Sequence, residues 1–429
     1  MTAEKSLKVA LLGCGTVGAQ VARILREDAA ALADRSGAKL ELIGIAVRNT
    51  ASKRDVELPA DLFTTDANAL IDQADVVIEL LGGLHPAGDY IARALKRGAS
   101  VITGNKALIA AQGAQLNALA AGNGAQLRYE AAVAGAIPIL RPIADSLAGD
   151  HITKVMGIVN GTTNFILDAM DSTGAAFDDV LAEAQALGYA EADPTADVGG
   201  HDAAAKAAIL ASLAFHTTVS SDQVHTEGIT EVSAQDVAAA AEAGYVIKLL
   251  AIAEHAEAGV SVRVYPSLIK RSHPLASVRG AFNAVFVEAE NAGDLMFYGA
   301  GAGGNPTASA VMGDVVAVAR QLAAGAPLPC GSADQPVNLL DFDAITTSYW
   351  IGLSVKDQPG VLASIAAVFG EHGVSIESMS QHSDADGEGS ALRILTHRGT
   401  EAALRTTVDA VAALDSVHSV TSVMRVEGN

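Results

Sequence analysis

An apolar run over residues 7–12 ends in Gly13-Cys-Gly15-Thr-Val-Gly18, and a helical pattern follows over residues 19–26. Strand, G-x-G-x-x-G, helix in that order leaves little freedom of fold. The glycines allow a tight turn and bring a pyrophosphate close to the helix N-terminus, where unpaired N–H groups and the helix dipole favour an anion. The chain therefore opens as a doubly wound α/β dinucleotide-binding domain. Gly13, Gly15, Thr16, Val17 and Gly18 are its first cofactor-binding candidates. A glycine-rich turn without a ligand is the competing reading.

The second strand, residues 39–47, ends in Ala46-Val47-Arg48. An NAD-selective site usually has Asp or Glu here, bonding the ribose 2′-hydroxyl. Arg48, with Lys53 and Arg54 close behind, suits a 2′-phosphate instead, so NADP is favoured and NAD accepted; an exposed loop arginine is the alternative. The alternation continues with a strand at 75–81, a helix at 86–97, and a strand at 100–103 ending in Gly104-Asn105-Lys106. A strand at 127–133 follows, and Gly135-Ala-Ile-Pro138 opens another helix. Parallel sheets place ligands at the carboxyl ends of their strands. Ala46, Arg48, Thr103 and Lys106 therefore join the cofactor candidates, with Lys106 towards the nicotinamide.

Net charge is -21 over 429 residues, which argues against a nucleic-acid or anionic-membrane surface. Positive potential for an anionic cofactor must come from helix N-termini and a few placed Lys or Arg. Half the residues are hydrophobic, but no run is long enough to span a bilayer, and no signal-peptide pattern precedes the first strand. A cytoplasmic protein is expected. Cys14 and Cys330 offer neither a disulfide framework nor metal spacing.

Near Asp150 the pattern changes. Residues 151–159 read as a strand feeding Asn160-Gly161-Thr-Thr-Asn164, where Gly161 and Thr162 suit a helix cap or a polar ligand. Helices are expected at 178–187 and 200–215. Between them runs an acidic loop containing Glu191, Asp193 and Asp197, broken by Pro194 and by Gly199-Gly200. Asp202 and Lys206 stand four apart, so both leave one helix face. Such a pair is either a solvated ion pair or, where burial and a neighbouring anion tune the lysine, a proton shuttle.

Strand-like runs at 246–254, 260–268 and 284–290 indicate an α+β second domain. A second glycine-rich loop, 299–306, precedes a helix at 307–323 that is expected to pack on the first domain. The expected limits are 1–150, completed by helix 305–325, for dinucleotide binding; 151–304 for substrate; 326–348 as linker; and 349–429. This last region reads as βαββαβ, a ferredoxin-like order, with a turn at Asp357-Gln-Pro359-Gly360-Val-Leu362.

With these motifs in this order, essentially the whole chain resembles homoserine dehydrogenase in its bacterial form with a C-terminal ACT domain. Gly13–Gly18, Gly104-Asn-Lys106, Glu130–Pro138, Gly161-Thr-Thr-Asn164, Leu187–Lys206 and Asp357–Leu362 carry the likeness, and the acidic loop is the most specific of them. The resemblance implies reversible NAD(P)-linked hydride transfer between L-homoserine and L-aspartate 4-semialdehyde, in threonine, methionine and isoleucine biosynthesis. It implies substrate binding by residues matching Glu191, Asp197 and Asp202, and reliance on lysines matching Lys106 and Lys206. We assign proton transfer to Lys206 and polarisation of the oxygen to Lys106. It further implies Na⁺ or another monovalent cation at positions matching Glu130, Val133, Gly135 and Ile137, three of them through backbone carbonyls. Gly303 would lie against the nicotinamide end. In the ACT domain, Asp357, Gly360 and Val361, with Ser375 and Ile376 from a neighbour, would bind an amino-acid effector, threonine being expected. A homodimer or homotetramer is implied as well.

The chemistry fits independently of the family. Carboxylates receive the substrate ammonium through charge-assisted bonds, and a lysine serves as base for the alcohol or acid for the aldehyde. Four rivals remain. A semialdehyde dehydrogenase would need a thiolate at the nicotinamide, where neither cysteine stands. Another amino-acid dehydrogenase would use a similar Lys–Asp pair. Glu191, Asp193, Asp197, His201 and Asp202 could instead form an oxygen-rich divalent metal site. A non-catalytic amino-acid sensor is the last, against which Lys106, Asp202 and Lys206 stand intact.

Overall fold

In the computed structural model, which describes residues 5–325, 337–383 and 390–428, the chain divides into two units. The first comprises Met1–Gly161, Asp202–Val224 and Ala281–Pro336. Its centre is a six-stranded parallel sheet in the order Phe63–Thr64, Lys39–Ala46, Ser6–Leu12, Val76–Glu79, Ser100–Thr103, Leu127–Arg128. Residues Val9 to Leu12 and Val76 to Ile78 are fully buried, which is why they read as unbroken apolar runs. The winding reverses between the strands ending at Leu12 and Glu79, the point where this topology opens a crevice for a ligand. Helices Thr16–Glu27, Ala29–Ser36 and Gly304–Ala324 share one core with this sheet, through Val21, Leu25, Leu32, Val311, Val315 and Val318. Strand Ile152–Ile158 in the same unit pairs antiparallel with Phe282–Ala289, which pairs with Gly293–Ala300.

The second unit comprises Thr162–His201, His225–Gly280 and Val337–Asn429. Two twelve-residue strands, Tyr245–Ala256 and Gly259–Lys270, form its long hairpin. The C-terminal strand Val417–Glu427 lies parallel to the second of them, with Ser267 opposite Arg425. Thr346–Val355, Ser390–Thr396 and Ile376–Ser383 extend the sheet. Helices Val361–Glu371 and Glu401–Ala412 complete the βαββαβ order around Ile351, Leu353, Ile365, Phe369 and Ile394.

The strands of the region 349–429 share a sheet with 245–270. Arg263, fully buried on that hairpin, donates to Glu254 (2.7 Å) and Glu427 (3.2 Å), and the Tyr265 hydroxyl donates to Glu427 as well. The expected 151–304 domain is divided between the two units. Of the expected linker, 326–336 lies outside the described residues. Its next stretch is held: Val260 N–H donates to Asn338 O and Leu340 N–H to Val260 O, each at 2.8 Å.

The strand expected at 127–133 pairs only over Leu127–Arg128 and turns into a 3₁₀ segment, Glu130–Ala132. The Glu130 side chain draws it inward by accepting from the N–H groups of Ile139, Leu140 and Arg141. The helix expected from 135 begins several residues later, around Pro142–Ser146. Among the described residues, no helix is long and apolar enough to cross a membrane.

Candidate active site

The glycine-rich loop sits at the switch point of the first unit. Gly13 has φ +98°, and a Cβ there would lie 2.6 Å from the Leu80 carbonyl; one at Gly18 would lie 2.3 Å from the Gly13 carbonyl. Gly15 caps the helix Thr16–Glu27 without any side-chain cap, and a Cβ on it would meet nothing within 4 Å. Backbone packs tightly on two sides and lies open at the helix N-terminus, which fits a pyrophosphate. The second glycine-rich loop meets the first, since a Cβ on Gly304 would touch Thr16 at 3.1 Å. Gly303, at φ +126°, caps the helix that follows. Beneath Gly301 lies the buried Asn283, neither of whose amide atoms has a partner.

At the end of the second strand Ala46 is buried and its carbonyl accepts from Gly13. Arg48 and Lys53 are exposed. Arg54 is used differently: it stacks 4.1 Å over Phe63 and donates to the Asn49 and Ser52 carbonyls, which fixes the loop carrying the other two. Burial pushes the Cys14 thiol up, with Arg54 opposing.

Thr103 donates to the buried Glu79 (2.6 Å), whose other oxygen accepts from Leu81 and Gly82. Glu79, absent from the candidates above, therefore ties the ends of two strands together. Asn105 caps the next helix, Lys106–Gly122, by accepting from Leu108, and donates to Gly83 O. Capping fixes the helix start, so the side chain of its first residue, Lys106, reaches Asp202.

Asp202 lies in the first turn of helix His201–Ala214 and is 7% exposed. It accepts from Lys106, from Lys206 Nζ at 2.7 Å and from Asn160 Nδ2 at 2.9 Å. Lys206, 9% exposed, also donates to the Val159 carbonyl at 2.6 Å. Burial alone pushes the Asp202 carboxyl up, but the Lys206 and Lys106 ammoniums outweigh it and hold it well below the usual carboxylate range. Two cations on one buried anion is no solvated surface pair. Asn160 is a further residue of the cluster; its position at a strand end beside Gly161-Thr-Thr-Asn164 was the available signal.

Glu130 accepts four donors, the three backbone N–H groups already named and Arg141 Nε. Its carboxylate is therefore committed, and a cation there would have to be met by carbonyls. Val133 and Ile137 are buried, and Ala134 and Gly135 both adopt left-handed backbone (φ 55° and 57°). Nearby, burial raises the Asp314 carboxyl to about 7; the Glu130 N–H and Arg141 oppose the rise and the Glu130 charge adds to it.

Within the second unit, Thr162 donates to Tyr189 O at 2.5 Å, tying helix Gly161–Thr173 to the acidic loop. That loop contains a short helix, Thr195–Val198, which bears Asp197. Glu191 is exposed, and Asp193 accepts from Thr195 (2.6 Å). Among the described residues, no group of three or more His, Cys, Asp or Glu is disposed to hold a metal ion. In the C-terminal region Gly360 (φ +94°) caps helix Val361–Glu371 with no side-chain cap; Asp357 and Ser375 are exposed, Val361 is buried and Ile376 half-buried.

A profile described as "Homoserine dehydrogenase" matches residues 138–316, "Homoserine dehydrogenase, NAD binding domain" matches 13–130, and "ACT domain" matches 349–416. The homoserine dehydrogenase of Corynebacterium glutamicum is 52% identical over 98% of this chain and 95% of its own length. That of Mycobacterium leprae is 52% identical over 99% and 98%. Among solved structures, a homoserine dehydrogenase from Thiobacillus denitrificans aligns with a TM-score of 0.89 at 39% identity, covering 99% of both chains. A hyperthermophilic archaeal homoserine dehydrogenase in complex with NADPH aligns at 0.62 and 27%, covering 73% of this chain and 97% of its own. The chain belongs to the homoserine dehydrogenase family, in the form that carries an ACT domain.

Proposed function

We propose that Lys206 moves the hydroxyl proton of homoserine, with Lys106 polarising the reacting oxygen and Asp202 holding both ammoniums. The observation that carries this is the buried Asp202 carboxylate, which receives both lysines from different helices. A nicotinamide cofactor held at the Gly13–Gly18 loop would supply the hydride acceptor in oxidation and the hydride donor in reduction. Lys206 takes the alcohol proton in oxidation and gives it back in aldehyde reduction. Its bond to Val159 O aims the amine, and Asn160 fixes the second carboxylate oxygen. Glu191 and Asp197 receive the substrate ammonium, while Gly161 and Thr162 shape the neighbouring helix start.

NADP is the preferred cofactor on this reading, since the exposed Arg48 and Lys53 follow the second strand where an acid would serve NAD. A monovalent cation binds at Glu130, Val133, Gly135 and Ile137, three of them through backbone carbonyls, along the left-handed stretch at Ala134–Gly135. Threonine binds at Asp357, Gly360 and Val361, with Ser375 and Ile376 of a second copy. Self-association is favoured by the strand Gly293–Ala300, which exposes Tyr298 stacked on Phe282. The cytoplasm is the compartment assigned, as that of amino-acid biosynthesis.

The test is Lys206→Met in homoserine oxidation. Turnover should fall more than about a hundredfold, the scale of a lost general base, with NADPH affinity by fluorescence titration unchanged. Turnover within a few-fold of wild type would remove Lys206 from proton transfer.

A further inference from the structure

The catalytic helix is entered through the turn Val198-Gly199-Gly200, and within the second unit this turn lies on the segment 226–229. Ile229 N–H donates to Val198 O at 2.8 Å. A Cβ on Gly228 would lie 2.2 Å from that same carbonyl and 2.7 Å from Gly199 Cα. Gly200, at φ +82°, faces Thr226 and the Glu227 carbonyl in turn. At Gly228 backbone meets backbone, and at Gly200 the Thr226 methyl and the Glu227 carbonyl make the contact, so a shift of 226–229 is passed to the turn directly.

Segment 226–229 is gripped from the C-terminal region. Its short strand His225–Thr226 pairs parallel with Arg263–Val264 of the hairpin, and Glu227 N–H donates to Val264 O. The Glu227 carboxylate meets His225 Nε2 on one oxygen and Arg425 on the other, each at 2.7 Å. Arg425 stands on the last strand of the ACT region and also donates twice to Glu401, at 2.9 and 3.1 Å. Glu401 begins helix Glu401–Ala412 and accepts from Tyr349 of the region's first strand. The guanidinium lies 4.5 Å from the Tyr265 ring and 5.0 Å from the Phe342 ring, and Phe342 stacks on His225 at 3.4 Å. Burial pushes the Glu227 carboxyl up, but His225 and Arg425 bring it down to about 2, so it is ionised at neutral pH.

We propose that Glu227 is a positioning residue for the turn entering the catalytic helix, and that its ion pair with Arg425 is how the ACT region acts on that turn. Arg425 belongs at once to the helix and strands of the ACT fold and to the segment under Val198–Gly200. Displacement of the last ACT strand therefore carries Glu227 with it, and the backbone contacts carry the shift to the residues just before Asp202. The inference rests on the reading that Asp202 and Lys206 are catalytic.

The experiment compares Glu227→Gln, Arg425→Gln and the double variant in the full chain. The readouts are kcat and KM for homoserine, NADPH affinity by fluorescence, Tm, and the response to threonine. Each single variant is expected to lower kcat about tenfold, in the range for residues along a coupled network. KM and NADPH affinity should stay within about twofold, and the double variant should be no slower than either single one, the mark of two groups acting as one unit. Gly228→Ala presses on the turn without touching the ion pair and should lower kcat in the same way. Wild-type kcat in both single variants, multiplying losses in the double variant, or losses explained by the folded fraction would overturn the proposal. If Lys206→Met turns over normally, the catalytic reading fails instead. If Lys206→Met is inactive while Glu227→Gln and Gly228→Ala run at full speed, this inference alone fails.

Discussion

Asp202→Asn tests the electrostatics of the site while keeping its shape. The side chain stays nearly isosteric, but two ammoniums lose their shared counter-ion. Lys206 and Asp202 approach to 2.7 Å with side chains 11% and 5% exposed, so solvent screens the pair weakly. At an effective dielectric near 20, opposite charges about 4 Å apart attract by about 4 kcal/mol. One pKa unit is about 1.4 kcal/mol, so losing this attraction makes the Lys206 proton easier to remove by about one to three units. In homoserine oxidation the base must be neutral. The acid limb of kcat/KM against pH should therefore move down by at least about one unit in Asp202→Asn. Plateau turnover should fall, because the amine is no longer aimed. The assay is initial rate of NADPH formation from mildly acidic to alkaline pH.

Stability supplies a second reading. The folded Asp202 carboxyl is depressed, so its contribution is complete above the unfolded value and is lost only as pH falls through the folded one. The Tm gap between wild type and Asp202→Asn should hold at neutral pH and close only in strong acid. An acid limb that coincides with wild type, together with an unchanged Tm, would refute the argument: the carboxylate would then not govern the lysines.

Arg48→Asp should weaken NADP relative to NAD, by exchanging a phosphate partner for a ribose partner; an unchanged ratio of the two kcat/KM values would direct attention to Lys53. Millimolar threonine should lower wild-type activity and act far less on Gly360→Asp, because the residue takes φ +94° at an uncapped helix start; equal inhibition of both would remove that turn from effector binding. Asp314→Asn should flatten the pH dependence of stability. With the folded carboxyl raised to about 7 from an ordinary 3.8, the unfolded chain releases its proton first, so wild-type stability falls as pH rises between those values. Parallel Tm profiles for wild type and Asp314→Asn over that interval would show that the group titrates elsewhere.

The elements most legible in the sequence are those whose burial or turn chemistry leaves a strong period. The six-stranded sheet announces itself through Val9–Leu12 and Val76–Ile78, buried on both faces and hence continuously apolar. The final βαββαβ order was legible from alternation instead, as in Ser390–Thr396, where buried and half-buried residues alternate at the start. Helices Lys106–Gly122 and Ala234–Glu242 went unread, and of Gly161–Thr173 only the cap was read, because alanine-rich or small polar stretches give little contrast between faces. Strand Gly293–Ala300 pairs on one side only and buries no residue fully, so its alternation is faint. At the site, Lys206 and Asp202 were readable from their spacing. That Lys106 meets the same carboxylate, 96 residues away, was not, because that contact comes from tertiary structure. Glu79 is a common residue type whose role lies wholly in its partners, whereas Asn160 was marked only by its place at a strand end.

The parallel pairing of Val417–Glu427 with Gly259–Lys270 also sets an order of events during synthesis. Arg263 is fully buried, and one of its two counter-charges, Glu427, is made 164 residues later. At about 5–20 residues per second, that is a wait of roughly ten to thirty seconds. Over that interval the nascent strand Gly259–Lys270 displays an edge left bare over Ser267–Ile269 and a half-neutralised arginine. The dinucleotide-binding sheet, by contrast, has all six of its strands by residue 128. A ribosome bearing this chain thus carries the first sheet with all its strands made while the second is still open. Chaperone demand, and sensitivity to truncated translation products, should concentrate in that last stretch of synthesis.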